Sequence, residues 1–148
     1  MILGLGGGSI AGLIKKLWPQ AKITGVDADP LIVELGKKYM DLSLLGVKIV
    51  IQDALDFLTN HESPTTNHYN LICVDLYVGD KYPEKFESDR FLKLILRFIT
   101  DNGVAIFNRL YYNEKRTQAM KFGEKLRKIF PKVQTVFPEA NVMFVCSE

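Results

Sequence analysis

Four glycines stand within five positions, Gly4, Gly6, Gly7 and Gly8, directly after the apolar Met1-Ile2-Leu3 and directly before Ser9-Ile10-Ala11. Backbone that carries no side chains lets a ligand come close, and turns of this kind often need positive φ. A helix starting right after such a turn offers N–H groups without intrahelical partners and a partial positive charge. The chemistry this suits is the holding of a nucleotide-like ligand. Further along, Asp27, Asp53 and Asp75 each stand at or just past the end of an apolar run. The glycine spacing is not diagnostic alone. Counted from Gly4 and Gly6, the pattern GxGxxG meets Ser9, and from Gly6 and Gly8 it meets Ala11.

The elements that must position these residues follow from periodicity. Met1 to Leu3 reads as the end of a buried strand. Ile10, Leu13, Ile14 and Leu17 recur at helical spacing and predict one apolar stripe, with Ser9 as N-cap. Lys22–Val26 is a second strand that runs into Asp27-Ala28. Asp29 and Pro30 are an N-cap and first-turn pair for a helix whose inward face is predicted at Ile32, Leu35, Gly36 and Tyr39. Val47–Ile51 is a third strand, followed by Gln52-Asp53-Ala54 and a short helix through Leu58. Residues 59–68 are polar and turn-rich, a surface loop holding His61 and His68. Tyr69–Leu76 is nearly all apolar, as a central parallel strand must be. Tyr77–Ser88 is a loop at its carboxyl end, and Asp89–Ile99 a helix with Phe91, Leu94, Ile95 and Phe98 inward. Asp101-Asn102-Gly103 turns the chain into strand five, Val104–Phe107. Asn113–Phe130 is a basic amphipathic helix with Ala119, Phe122, Leu126 and Ile129 on one side. The seven Lys and Arg between positions 115 and 132 read as its solvated face. Val133–Phe137 and Val142–Cys146 are separated by four residues, too few for a crossover helix, so they are antiparallel.

With 148 residues, 47% hydrophobic and 24% charged, the chain fits one globular domain of residues 1–148, and a net charge of +2 argues for neither a nucleic-acid nor a membrane partner. Cys73 and Cys146 lie inside apolar runs and read as buried free thiols of a reducing, cytoplasmic compartment. Two cysteines and two isolated histidines build no metal-ligand spacing. Met1 falls inside the first strand, which implies that the domain is cut short or has lost an N-terminal extension. An exposed first strand with nothing before it suits a homodimer contact.

The order of these pieces resembles the class I S-adenosylmethionine-dependent methyltransferase superfamily, and within it the spermidine synthase-like (polyamine aminopropyltransferase-like) proteins. The resemblance rests on LGLGGGS at 3–9, VDADPLIVELGKKYM at 26–40, VKIVIQDALDFL at 47–58, YNLICVDLY at 69–77 and DNGVAIFN at 101–108. It implies an α/β fold: a Rossmann-like, seven-stranded, mostly parallel sheet with a C-terminal antiparallel β-hairpin and helices on both faces. It also implies a cofactor, S-adenosylmethionine or its decarboxylated form, with no metal. Gly4, Gly6 and Gly8 would shape the turn facing the methionine portion, and Asp27, with Ala28 beside it, would accept from the ribose hydroxyls. Asp53 would take the adenine amino group, Ala54 would supply a backbone N–H, and Asp75 would face the reacting groups. Asp27 and Asp53 can equally act as helix caps, and the two roles are compatible.

This chain departs from the spermidine synthases at two places. Ser9-Ile10-Ala11 stands where they read an acid and further glycines. After strand four their second aspartate is replaced by Val78, with Asp80 two residues on. The family's N-terminal β-rich segment has no counterpart before Met1. Three readings of function follow. The first is methyl transfer to a small-molecule acceptor, with Asp75 and Tyr77 as catalytic candidates and Asn108, Tyr111 and Tyr112 lining the site. The second is aminopropyl transfer from the decarboxylated donor. The third is a non-catalytic module that keeps the cofactor fold. A nicotinamide-binding domain is a further alternative, against which the closing hairpin and Asp53 count.

Overall fold

The structure, a computed structural model, describes residues 1–61 and 68–148. Among the described residues seven strands give a mixed, Rossmann-like architecture, with β3-β2-β1 neighbours in one run and β4-β5-β7-β6 in the other, the latter closed by antiparallel strands. The described residues divide into two compact units, Met1–Asn60 and His61–Glu148.

The first unit runs β1 (Ile2–Leu3), α1 (Ser9–Leu17), β2 (Thr24–Asp27), α2 (Pro30–Tyr39), a short 3-10 helix (Leu42–Leu45), β3 (Lys48–Ile51) and α3 (Ala54–Asn60). β1 pairs parallel with β2, and β2 pairs parallel with β3. Met1, Ile2 and Leu3 are all buried, so the first strand is interior and the argument for a dimer contact through it falls.

The helical faces differ from the sequence expectation. On α1 only Ala11 is buried, while Leu13 and Leu17 are 63% and 68% exposed. On α2 the buried residues are Val33 and Gly36; Ile32, Leu35 and Tyr39 are exposed. The reason is close packing of backbone. A Cβ placed on Gly36 would lie 2.8 Å from Gly7 Cα, so the contact face of α2 is centred on its glycine rather than on its large side chains. The N-cap of α1 is Gly8 in the left-handed conformation, and Ser9 is the first helical residue with no capping bond, which corrects its predicted role. The Asp29 cap forms as expected: its carboxylate accepts from the N–H groups of Leu31 and Ile32, with Pro30 in the first turn.

The second unit runs β4 (Tyr69–Val74), a 3-10 helix (Glu84–Glu87) inside the loop predicted over 77–88, α4 (Asp89–Phe98), β5 (Ile99–Leu110), α5 (Lys115–Leu126), β6 (Lys132–Val136) and β7 (Asn141–Ser147). β4 and β5 are parallel; β7 pairs antiparallel with both β5 and β6. β5 is longer than predicted. It begins at Ile99 opposite Tyr69, and the register shifts before Val104 pairs with Leu71, so the expected Asp101-Asn102-Gly103 turn is absorbed as an irregularity within the strand. α5 is shorter than predicted, ending at Leu126, and Phe130 rather than Ile129 is buried beyond it. Phe107, Phe122, Phe130 and Phe144 are fully buried, with ring centroids 5.7 to 6.1 Å apart along the chain of contacts between them. Cys73 and Cys146 are free and buried, and burial pushes the Cys146 thiol up to about 12 and the Cys73 thiol in the same direction. Of the loop predicted over 59–68, Thr59 and Asn60 instead finish α3, His61 and His68 are exposed, and residues 62–67 lie outside the described residues.

Candidate functional site

In the first unit the turn after β1 is held by its neighbour strand. The N–H groups of Gly4 and Leu5 both donate to the Val26 carbonyl, at 2.9 and 3.1 Å. Gly4, Gly6 and Gly8 all have positive φ, at 87°, 54° and 94°, which explains why this stretch tolerates little but glycine. Asp27 at the end of β2 braces the turn: one carboxylate oxygen accepts from Gly6 N–H at 2.7 Å and the other from Asp29 N–H at 2.9 Å. A carboxylate has about four lone-pair sites, so each oxygen keeps capacity for a further donor such as a ribose hydroxyl. The carbonyl of Asp27 also accepts from Gln52 N–H at 2.9 Å, tying the ends of β2 and β3 together. Asp53 caps α3 through Oδ1, which accepts from Leu55 and Asp56 N–H at 2.9 and 3.3 Å. Ala54 is the buried first residue of that helix, and Ala28 is exposed beside Asp27. A Cβ built on Gly6 would meet nothing within 4 Å, so open space lies against the turn. Turn, open space and an acid with spare acceptor capacity leave room for a ligand that donates hydrogen bonds.

In the second unit the residues after β4 form a side-chain network instead. Asn108 on β5 donates its carboxamide N–H to Asp75 Oδ1 at 2.8 Å, and Asn141 at the start of β7 donates to Asn108 Oδ1, also at 2.8 Å. The Tyr77 hydroxyl accepts from Leu110 N–H at 2.8 Å and donates to the Asn108 carbonyl at 3.3 Å, which pins the loop to β5. Burial raises the Tyr77 phenol above its usual value, with the Leu110 N–H opposing, so it stays protonated at neutral pH. Asp80 is exposed and paired with Lys115, whose ammonium lies 2.8 Å from its carboxylate and also contacts the Asp80 carbonyl. This pairing holds the Asp80 carboxyl below its ordinary value. Val78, at the position of the missing acid, is 72% exposed. Tyr111 stacks at 5.1 Å against Phe137, with the Arg116 guanidinium over its ring, and Tyr112 is exposed.

The network has members that sequence reasoning did not find. Arg109 is buried, forms an ion pair with Glu87 at 2.7 Å, and lies 4.0 Å over the Tyr82 ring and 4.6 Å from that of Phe122. Its signal was present in the alternation Ala105, Phe107, Arg109, which puts a charge in phase with buried positions. Asn141 gave no signal, because a polar residue before a strand reads as a turn. Tyr77, Tyr82, Lys81, Arg109 and Lys115 line a cavity of about 480 Å³ in this unit, together with Asp80, Glu84 and Glu114 among others.

Residues 1–145 match the family described as the spermine/spermidine synthase domain. The chain belongs to that family. Its relatives carry two kinds of name. It is 29% identical over 141 residues to an eEF1A lysine and N-terminal methyltransferase homolog of Drosophila melanogaster, covering 90% of this chain and 20% of that protein. It is 25% identical over 130 residues to a polyamine aminopropyltransferase of Vibrio vulnificus, covering 84% of this chain and 43% of that one. The chain therefore spans a fifth to under a half of the length of these family members. Among solved structures, the human methyltransferase-like protein 13 in complex with SAH superposes with a TM-score of 0.84 at 24% identity, over 99% of this chain and 69% of that one, which supports the shared fold.

Proposed function

We propose that residues 1–148 act as a single S-adenosylmethionine-binding transferase domain whose reaction is methyl transfer. The observation that carries the reading is the Asp27 brace. The acid that an adenosyl ribose requires is the same group that holds the glycine turn in shape through Gly6, so the turn and the diol acceptor are built together. Gly4, Gly6 and Gly8 would border the methionine portion, Asp27 and Ala28 the ribose, and Asp53 and Ala54 the adenine. The bound cofactor supplies a methyl group already activated by its sulfonium, so the chain's own residues mainly have to position the acceptor and receive a proton. Asp75 is the base in this reading, oriented by Asn108, and Tyr77 borders it as the second candidate. The Drosophila relative's name supports methyl transfer, and an amine acceptor fits a carboxylate base.

Aminopropyl transfer is the second reading, supported by the family match and the Vibrio relative. Against it stands Asp80. The carboxylate nearest in sequence to the missing acid is neutralised by Lys115, and the adjoining cavity sets Lys81, Arg109 and Lys115 beside Asp80, Glu84 and Glu114, which leaves no surplus of carboxylates to take the place of a polyamine's hydration. The domain is proposed to work in a reducing, cytoplasmic setting.

Calorimetric titration with S-adenosylmethionine, its decarboxylated form, S-adenosylhomocysteine and NAD tests both readings. Binding of the first and third, weakened about 100-fold in Asp27→Ala, is expected, since that change strips two backbone N–H groups of their acceptor as well as the diol of its own. Preference for the decarboxylated form would favour the second reading, and binding of none would sink both.

A further inference from the structure

The second unit's hydrogen-bond chain has only one self-consistent direction. Ionised Asp75 can only accept, so Asn108 must present its NH₂ to it, as it does at 2.8 Å. The Asn108 carboxamide oxygen then faces the other way and needs a donor. Asn141 supplies that donor at 2.8 Å. Asn141 is itself fixed in the closing hairpin: its backbone N–H donates to the Pro138 carbonyl at 2.8 Å, and it pairs with Leu110 at the start of β7. Asp75 acts electrostatically on Cys73, Tyr77 and Tyr82, and burial raises all three, so they remain neutral; Arg109, which acts on both tyrosines, is paired with Glu87. The orientation of the Asp75 partner is thus set from the hairpin.

We propose that Asn141 is a positioning residue that holds the Asn108 carboxamide with its NH₂ toward Asp75, so that the carboxylate is fixed in place to take a proton from the acceptor. As a step in turnover this rests on the transferase reading above, whereas the relay itself is a property of the unliganded protein. Reversing the terminal donor should reverse the chain. In Asn141→Asp the new carboxylate can only accept, so it draws the Asn108 NH₂ to itself. The Asn108 oxygen then faces Asp75, which must hold a proton to donate to it.

The test follows the Asp75 carboxyl by ¹³C NMR across pH in the wild type, Asn141→Asp, Asn141→Ala and the double variant Asn141→Asp/Asn108→Ala. The expected result is that the midpoint of Asp75 protonation rises by about one pH unit in Asn141→Asp relative to the wild type. It should move less in Asn141→Ala, which merely frees the carboxamide, and return most of the way in the double variant, where no relay remains. An unchanged midpoint in Asn141→Asp overturns the proposal. So does an equal rise in the double variant, because that is the effect of added charge alone. If Asn141→Asp fails to fold, the Asn108 side-chain amide signals of Asn141→Ala decide instead: both NH₂ signals are expected to move toward the positions of an unanchored carboxamide, and unchanged signals overturn the relay. S-adenosylhomocysteine binding, measured alongside, separates the two claims. Its absence in the wild type would count against the transferase reading and leave the relay result standing.

Discussion

The two units build their polar ends in opposite ways. In Met1–Asn60 the work is done by backbone N–H groups gathered on single acids: Asp27 takes Gly6 and Asp29, Asp29 takes Leu31 and Ile32, and Asp53 takes Leu55 and Asp56. Apart from the Gly6 bond, every one of these spans two or three residues of sequence. In His61–Glu148 the bonds run between side chains brought from far apart, Asp75 to Asn108 and Asn108 to Asn141, each across 33 positions. The first kind tolerates variation elsewhere in the chain, because a turn and a cap are local. The second depends on register between β5 and β7, so a small slip dismantles it.

Mutations can break that contrast from either side. The largest effect is expected in the second unit, where Arg109→Ala removes a buried guanidinium packed against the rings of Tyr82 and Phe122 and leaves Glu87 without this partner. Urea unfolding should show a loss of about 3 kcal/mol, and a loss near zero would mean that the network is ornamental to stability. In the first unit the counterpart is Gly36→Ala. Its methyl would meet Gly7 Cα at 2.8 Å and Gly7 O at 2.9 Å, backbone that cannot step aside. About 2 kcal/mol of stability should go, and cofactor affinity should fall with it because the turn itself is displaced. If affinity held while stability fell, the turn would be less dependent on α2 than its packing implies.

A gain is expected next. The Tyr82 hydroxyl is buried with no hydrogen-bond partner among the described residues, so Tyr82→Phe keeps the ring contacts with Tyr77, Phe86 and Phe122 and discards a desolvated group. Thermal unfolding should show about 1 kcal/mol of added stability. A loss would reveal a buried water or ligand that the hydroxyl serves. The smallest effect belongs to Lys115→Met. Asp80 is depressed by Lys115, so its share of stability is present above the unfolded carboxyl's value and lost as pH falls through the folded one. Lys115 is raised, so its share is present below the unfolded ammonium's value and lost as pH rises through the folded one. Asp80 is exposed and Lys115 half-buried, so solvent screens the pair. The melting temperature of the variant should therefore differ only slightly from the wild type at neutral pH, with that difference vanishing in acid.

What the sequence determined by itself was whatever depends on neighbours within a few residues. The glycine turn, the Asp29-Pro30 helix start, the Asp53 cap and the antiparallel ending were all legible, since a positive φ, a cap and a four-residue connection are properties of short stretches. The order of motifs was enough to place the chain in its family. Helix faces were not legible. Leu13, Leu17 and Tyr39 look inward by spacing, yet they are exposed; on α2, Gly36 lets backbone approach backbone at Gly7 and centres the contact face on the glycine rather than on the large side chains. The Asp75–Asn108–Asn141 chain and the Arg109–Glu87 pair were hidden for a related reason. Each is fixed by strand register and by contacts many residues distant, and only the folded sheet sets which polar groups meet.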